Sequence, residues 1–314
     1  MESLVFSLNA TIPVFLLMIV GMILRKIGWV DPSFASNMNQ FVFRISLPAV
    51  LFSDLAAVDF KTAWNFKFVL FCFCVTLVCI ILAGGISLLL RERGMRGEFI
   101  QASYRSSAAL LGIALIQNIY GTSGMAPMMI IGSVPLYNMM AVVVLAVFQP
   151  GQNGLDRTLL KKTAKGILTN PIIIGIAVGL LWSLLGLPLP KILSKTVSSI
   201  GATATPLGLI AMGATFDFQK ALGKRRTVFL ASCLKLIVWC ALFLPIAAAL
   251  GFRREELTAI LIMLGSATTV SSYVMARNMG HEGMLSSGVV MLTTLLSAFT
   301  ITGWLWLLRS LGLV

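Results

Sequence analysis

Long apolar runs separated by short polar loops are the dominant pattern of the chain. A helix that crosses a bilayer needs about 20 predominantly apolar residues. Ten segments meet this requirement, and segments two, four, seven and nine are the richest in polar, glycine and serine positions. The pattern predicts an all-α polytopic membrane protein with ten transmembrane helices, at 8–26, 36–58, 66–90, 100–120, 125–148, 168–186, 196–216, 227–250, 255–278 and 284–309.

The composition supports this prediction. Of the 314 residues, 58% are hydrophobic and 11% are charged, whereas a soluble domain carries about 25% charged residues. The net charge of +13 would suit nucleic-acid binding in a soluble protein, but here the basic residues lie between apolar segments. We therefore expect the lipid bilayer, and not nucleic acid, as the partner of these charges.

A weak internal repeat divides the chain into two halves. At an offset of 158 positions Pro48 falls on Pro206, and several other prolines and glycines, which constrain the backbone, match as well. The predicted halves are residues 1–148 and 168–314, joined by a cytoplasmic linker at 149–167. Each half holds five segments, an odd number, so the second half must enter the membrane from the opposite face. The sequence therefore predicts two inverted five-helix repeats.

Lysine and arginine counts predict the orientation. The loops on the side opposite the N-terminus hold about twice as many basic residues as the loops on the N-terminal side, and basic loops stay in the cytoplasm. We therefore expect a multi-pass protein of the cell (inner) membrane with both termini outside the cytoplasm.

Corresponding polar clusters in segments four and nine are the first candidates for a substrate site. Ser107-Ala108 and Ser266-Ala267 match at an offset of 159, and inverted-repeat carriers bind substrate where helices break near the midplane. Close helix packing by small residues is the alternative explanation. The substrate-binding candidates are Ser107, Gly112, Ala114, Asn118, Lys235, Thr268, Thr269, Ser271 and Ser272.

Charged and helix-breaking residues inside the segments add further candidates, because a charge within a membrane is costly and usually functional. Lys235 lies near the midplane, where its ammonium would neutralise an anionic substrate or form a structural pair with Asp54. Proline frees the carbonyl four residues before it and kinks a helix. The secondary candidates are Arg105, Asn138, Arg44, Pro48 and Pro206.

Enzymatic and metal-dependent functions have little support in the sequence. The five cysteines lie in apolar runs and the chain has one histidine, His281, so neither metal-ligand spacing nor a nucleophile–base pair occurs. We expect no enzymatic activity, no metal and no cofactor. Proton or sodium coupling is left open.

Several short motifs, in their order and spacing, resemble the bacterial auxin efflux carrier family, a group of malonate or malate permease-like and PIN-like transporters. They are Ile12-Pro13-Val14-Phe15-Leu16, Leu47-Pro48-Ala49, Cys233-Leu234-Lys235-Leu236 and the stretch from Val270 to Arg277. The resemblance covers essentially the whole chain. It implies a scaffold half, a transport half, and crossed, broken helices four and nine. It also implies organic-anion transport by an elevator-type movement, often in a homodimer.

We therefore predict a secondary active transporter of small organic anions, carboxylates or auxin-like indole acids, with an elevator-type alternating-access mechanism. A sodium-coupled symporter resembling the bile-acid carriers is the first alternative. The second is a membrane sensor that keeps a transporter fold without transport. Its support is that Ala114 and Ala267-Thr268 stand where the family's crossings usually carry proline.

Overall fold

Apolar helices, several of them interrupted, make up the computed structural model, which describes residues 2–56, 65–107, 116–117, 119–120, 125–150, 165–186, 188–217, 219 and 223–314. Within these ranges there is no strand. The helices are α1 (Glu2–Lys26), α2 (Pro32–Phe41), α3 (Leu47–Ala56), α4 (Phe66–Ser87), α5 (Arg93–Tyr104), α6 (Ala126–Val147), α7 (Pro171–Leu185), α8 (Lys191–Ala202), α9 (Ala204–Thr215), α10 (Arg225–Cys233), α11 (Trp239–Ala249), α12 (Arg254–Gly265), α13 (Ser271–Asn278) and α14 (Met284–Ser310).

The helices follow the apolar segments of the sequence. Among the described residues, five helical stretches are both long enough and apolar enough to cross a membrane. They are Phe66–Ser87, Ala126–Val147, Lys191–Thr215, Arg225–Ala249 and Met284–Ser310. The all-α, membrane-spanning class is therefore confirmed, whereas the ten-helix inverted repeat stays a prediction.

The two candidate prolines lie where helices begin. Pro48 stands in the first turn of α3, directly after a π-helical turn at Val42–Ser46, and it has no N–H to donate to the carbonyl of Arg44. Pro206 stands in the first turn of α9, where a missing N–H costs no hydrogen bond. A second π-helical turn, Leu234–Val238, joins α10 to α11.

Helices α1, α2, α3, α7, α8 and α9 form what we call the first helix group. Its helices approach each other through glycine: a Cβ on Gly21 would lie 2.2 Å from the carbonyl oxygen of Ile210, and a Cβ on Gly213 would lie 2.1 Å from that of Met18. Gly175 of α7 meets α3 in the same way. Small residues permit this backbone contact, which replaces the hydrophobic driving force that lipid does not supply.

Helices α4, α5, α6 and α10 to α14 form the second helix group. Glu98 of α5 is buried and caps the N-terminus of α14. Its carboxyl group accepts hydrogen bonds from the backbone N–H groups of Gly283 at 3.0 Å and Ser286 at 2.9 Å. These donors have no partner within their own helix. The two groups face each other across a cavity, and that cavity is the candidate site.

Candidate functional site

Two helix interruptions meet at the centre of the second group. Helix α5 ends at Tyr104, after which Arg105 adopts an extended conformation with ψ of 138°. Helix α12 ends at Gly265, and the chain stays non-helical until α13 begins. The backbone N–H of Ser107 donates to the carbonyl of Ala267 at 3.0 Å. We call this junction the crossing.

Hydroxyl side chains satisfy backbone groups at the crossing. Thr268 donates through its hydroxyl to the carbonyl of Ala102 at 2.8 Å, and its backbone N–H donates to the hydroxyl of Thr293 at 3.0 Å. Ser106 donates to the carbonyl of Met263. An unsatisfied backbone group in a bilayer costs several kcal/mol. Part of the serine and threonine cluster therefore stabilises the non-helical backbone of the crossing.

Lys235 belongs to this supporting structure. Its side chain is fully buried, and its ammonium donates to the carbonyls of Leu264 and of Met263, the latter at 3.5 Å. Both carbonyls lie in the last turn of α12, where a helix dipole favours a cation. Lys235 does not line the cavity and forms no ion pair with Asp54. The prediction that its ammonium faces a substrate has no support from this position.

A cavity of about 530 Å³ separates the crossing from the first helix group. Its first-group side is largely apolar, with Val42, Leu47, Val50 and Leu51. The second-group side is largely polar. The polar residues that line the cavity are Ser53, Asp54, Arg105, Ser106, Ser107, Tyr137, Asn138, Ser198, Thr205, Thr269 and Ser271.

The structure brings part of the predicted site together. The candidates that line the cavity are Ser107, Thr269, Ser271, Arg105 and Asn138.

The other candidates that the structure describes lie elsewhere. Ser272 has its carbonyl bonded to Gln101 at 2.9 Å. Lys235, Thr268, Pro48 and Pro206 have the positions given above, and Arg44 faces a different pocket. Gly112, Ala114 and Asn118 lie outside the described residues.

Arg105 is the cation of the cavity. Arg105 is 1% exposed and lines the cavity, as do Asn138 and Ser271, two of the residues that its guanidinium contacts. One terminal nitrogen, Nη2, donates to Asn138 and to Ser271, both at 2.7 Å. The other, Nη1, donates to Gln101 at 3.3 Å and to the Met275 sulfur at 2.8 Å.

All four partners of Arg105 are uncharged. Its Nε has no hydrogen-bond partner in the described part of the chain. Within the same part, the only ion pair is Lys224–Glu282 at 2.5 Å, which is not at the cavity. The guanidinium is therefore held in place by neutral groups and lacks a paired carboxylate.

Asp54 and Ser53, on the first-group side of the cavity, were missed as site residues. Asp54 has no hydrogen-bond or ion-pair partner among the described residues, and the Ser53 hydroxyl has none either. The sequence did carry a signal, because an acidic residue inside an apolar segment is costly. That signal was assigned only to a pair with Lys235.

A second pocket continues the cavity toward the start of α8. It measures about 450 Å³, contains Lys191 and Lys195, and shares Ser198 and Ala202 with the main cavity. Polar side chains on a membrane helix require water or protein beside them. Two lysines of α8 therefore lie in a pocket that adjoins the cavity.

Hydrogen bonds from α13 join the second helix group to the first. Tyr273 of α13 is buried, and its hydroxyl lies 2.5 Å from the hydroxyl of Thr215 and 3.4 Å from the Asn39 amide nitrogen. Beyond them, a polar pocket of about 200 Å³ contains Arg44 and Arg277. We call Tyr273, Thr215 and Asn39 the tyrosine cluster.

Comparisons with known proteins match the chain to membrane transport proteins. Residues 6–305 match the family profile described as "Membrane transport protein". A protein of Methanothermobacter thermautotrophicus, described as an "uncharacterized transporter", is 22% identical over 307 residues, which cover 95% of this chain and 97% of that protein. A Rhizobium meliloti protein, described as a "putative malonate transporter", is 24% identical over 282 residues and 87% of each chain.

Proposed function

Because the chain belongs to the auxin efflux carrier family of membrane transport proteins, we propose that it is a secondary active transporter of small organic anions that bind in the cavity at the crossing. The observation that carries this proposal is Arg105, a buried guanidinium at the cavity wall with neutral partners only. Its position places a fixed positive charge where a solute would sit.

Electrostatics favours an anion as that solute. A charge in a low-dielectric site is expensive unless another charge compensates it. A guanidinium presents its donors in a planar fork that matches a carboxylate, and the Nε of Arg105 is one donor still unused. A bound carboxylate would therefore supply the missing counter-charge.

The size and lining of the cavity favour a small carboxylate. A volume of about 530 Å³ falls within the roughly 300–1,000 Å³ of typical ligand pockets. The apolar side, with Val50 and Leu51, suits a carbon skeleton, and the crossing suits the charged end. Malonate is the first ligand to test, since one relative is described as transporting it. An indole acid is the second.

The two helix groups support an elevator-type movement of this site. The crossing, Arg105 and its partners belong to the second group, whereas the first group is joined internally by backbone contacts at glycine. A rigid second group would carry the anion past the first. The inverted repeat, the outside position of both termini and the homodimer remain predictions that this proposal adopts.

Thermal unfolding of the purified protein with malonate or indole-3-acetate tests the site. We expect an anion to stabilise the wild type, and we expect Arg105→Gln to weaken binding by at least about tenfold, because a charge-assisted bond is lost. Arg105→Lys keeps the positive charge but removes the planar guanidinium, so it tests whether binding requires that geometry. Arg44→Gln, an arginine outside the cavity, is the matched control. A full ligand response in Arg105→Gln would remove the cavity from the proposal.

Flux in proteoliposomes separates the alternatives. Uptake of a binding anion supports the transporter, whereas binding without flux supports the membrane sensor. Uptake that requires a sodium gradient supports the symporter resembling bile-acid carriers.

A further inference from the structure

The cavity contains a second charged residue that the proposed function does not use. Asp54 lies on α3, in the first helix group, and Arg105 lies in the second group. They line one cavity without forming an ion pair, and Asp54 has no partner among the described residues. We propose that Asp54 binds a proton together with the transported anion, so that each anion moved by the protein is accompanied by one proton.

Charge balance in the cavity is the first argument. With Asp54 ionised, the empty cavity holds one fixed positive and one fixed negative charge. An anion bound at Arg105 adds a second negative charge within a space that is roughly 10 Å across, where screening by water is weak. A proton on Asp54 cancels one unit of this negative charge, whether the anion carries one charge or, like malonate, two. Anion binding and protonation of Asp54 therefore favour each other.

The surroundings of Asp54 are the second argument. Helix α7, which packs against α3, has no titratable side chain, and Arg44 of the π-helical turn faces a different pocket. Helix α8 contributes Lys191 and Lys195, which line the second pocket. Across the cavity stand Arg105 and the Tyr137 phenol. Among the described lining residues Asp54 is the only acid.

The same surroundings favour a proton over a metal cation or a substrate ammonium. A sodium ion or an ammonium group needs several oxygen atoms around it. On the side of the cavity that carries Asp54, the described residues offer three neutral hydroxyls, those of Ser53, Ser198 and Thr205, among apolar side chains and no second acid. A proton needs only the carboxylate. The Ser53 oxygen, which has no partner of its own, can accept a hydrogen bond from the protonated acid.

The proton balance is simple in this scheme. The protein takes up the anion at Arg105 and a proton at Asp54 from one side of the membrane. Asp54 stays in the first helix group, so the movement of the second group past it must expose both sites to the other side, where the anion and the proton are released. No covalent bond changes. This inference rests on the proposed function, because it requires an anion in the cavity.

Calorimetric titration of the full-length protein with malonate tests the inference. Titrations in buffers with different ionisation enthalpies give the number of protons taken up on binding. We expect the wild type to take up more protons than Asp54→Asn. As the pH rises above the pKa of Asp54, the wild-type affinity should fall by up to about tenfold per pH unit relative to Asp54→Asn. Malonate also titrates, and the charge on Asp54 affects its titration when it is bound. Indole-3-acetate, a monocarboxylate with no second carboxyl group, is therefore titrated in parallel to separate proton uptake by Asp54 from proton uptake by malonate.

Two further variants complete the design. Asp54→Glu keeps a carboxyl group and should keep the proton uptake. Ser53→Ala removes the acceptor of the hydrogen bond from the protonated acid and should lower the proton uptake without abolishing it. Thermal unfolding of each variant without ligand verifies that it is folded. Equal proton uptake by the wild type and Asp54→Asn would overturn the inference while leaving the anion site intact. Absence of malonate binding to the wild type would instead overturn the proposed function, and this inference with it.

Transport supplies an independent measurement. In proteoliposomes, acidification of the side from which malonate enters should accelerate uptake by the wild type several-fold and leave Asp54→Asn unaffected. Loss of a sodium-driven uptake in Asp54→Asn would show that Asp54 holds a metal cation, and the inference would be wrong. It would be equally wrong if alanine bound to the wild type but not to Asp54→Asn, because Asp54 would then hold a ligand's ammonium group.

Discussion

Replacement of Lys235 by methionine tests whether this residue supports the crossing or contacts the substrate. Methionine keeps the length of the side chain and removes the ammonium. The carbonyls of Leu264 and Met263, in the last turn of α12, then lose a charged donor. The Met263 carbonyl keeps the Ser106 and Tyr137 hydroxyls as donors. The Leu264 carbonyl has no alternative partner within its own helix, and lipid offers none.

The expected loss of stability follows from these two bonds. Each bond to a charged group is worth roughly 1.5–3 kcal/mol, and relief from burying the ammonium opposes their loss, so we expect a net destabilisation of about 2 kcal/mol. Stabilisation of the folded variant by malonate should be retained, because Lys235 does not line the cavity.

A thiol-reactive dye provides the assay. Cys72, Cys79 and Cys240 are buried and unpaired, so they react only as the protein unfolds. Lys67→Met is the matched control, because Lys67 also donates to a backbone carbonyl, that of Leu250 at 2.7 Å, but on the exposed surface. Unchanged stability of Lys235→Met together with a lost malonate response would refute this reasoning and return Lys235 to the substrate site.

Three further variants test the helix contact at Gly213, the tyrosine cluster, and the two lysines of α8. Gly213→Ala should destabilise the protein by about 3 kcal/mol or more, because its Cβ would overlap a carbonyl of α1. The control Gly303→Ala, with open space around the added Cβ, should be neutral in the same unfolding assay. Equal effects of the two variants would contradict the close contact at Gly213. Tyr273→Phe should speed backbone hydrogen exchange in α13 several-fold, since it removes hydrogen bonds to the first helix group. Unchanged exchange would show that these bonds do not hold α13 against the first group. Replacement of Lys191 and Lys195 by glutamine should slow anion uptake at low salt and have little effect at high salt, where charge is screened; a defect of equal size at both salt concentrations would exclude electrostatic guidance.

The sequence predicts helix positions well and the environment of single side chains poorly. The length of each apolar segment is enough to locate the membrane helices, because the thickness of the bilayer determines that length. The paired polar clusters also pointed to the breaks that form the crossing. Thr268 and Thr269 show where prediction stops: Thr268 bonds to backbone within the crossing, whereas Thr269 lines the cavity. The two threonines are adjacent in the sequence and identical in type, so the sequence does not indicate which of them faces the cavity.

The charged residues show the same limit. Lys235 and Arg105 are both cations within apolar segments, and the cost of burial marks both as important. Their roles differ because of what packs against them: the end of α12 meets the ammonium, while neutral side chains and a cavity meet the guanidinium. Those neighbours come from distant parts of the chain. Asp54 was misassigned for the same reason.

The anchoring of Arg105 has a consequence for the direction of transport. Its guanidinium is bonded to α5, α6 and α13, all in the second helix group. If that group moves as a unit, the coordination of the anion by Arg105 is the same whichever side of the membrane the site faces. With equal affinity on both sides, neither state retains the solute more tightly, so binding itself favours neither direction. Import and export then become one process, and the gradients of the anion and of any coupled ion set its sign.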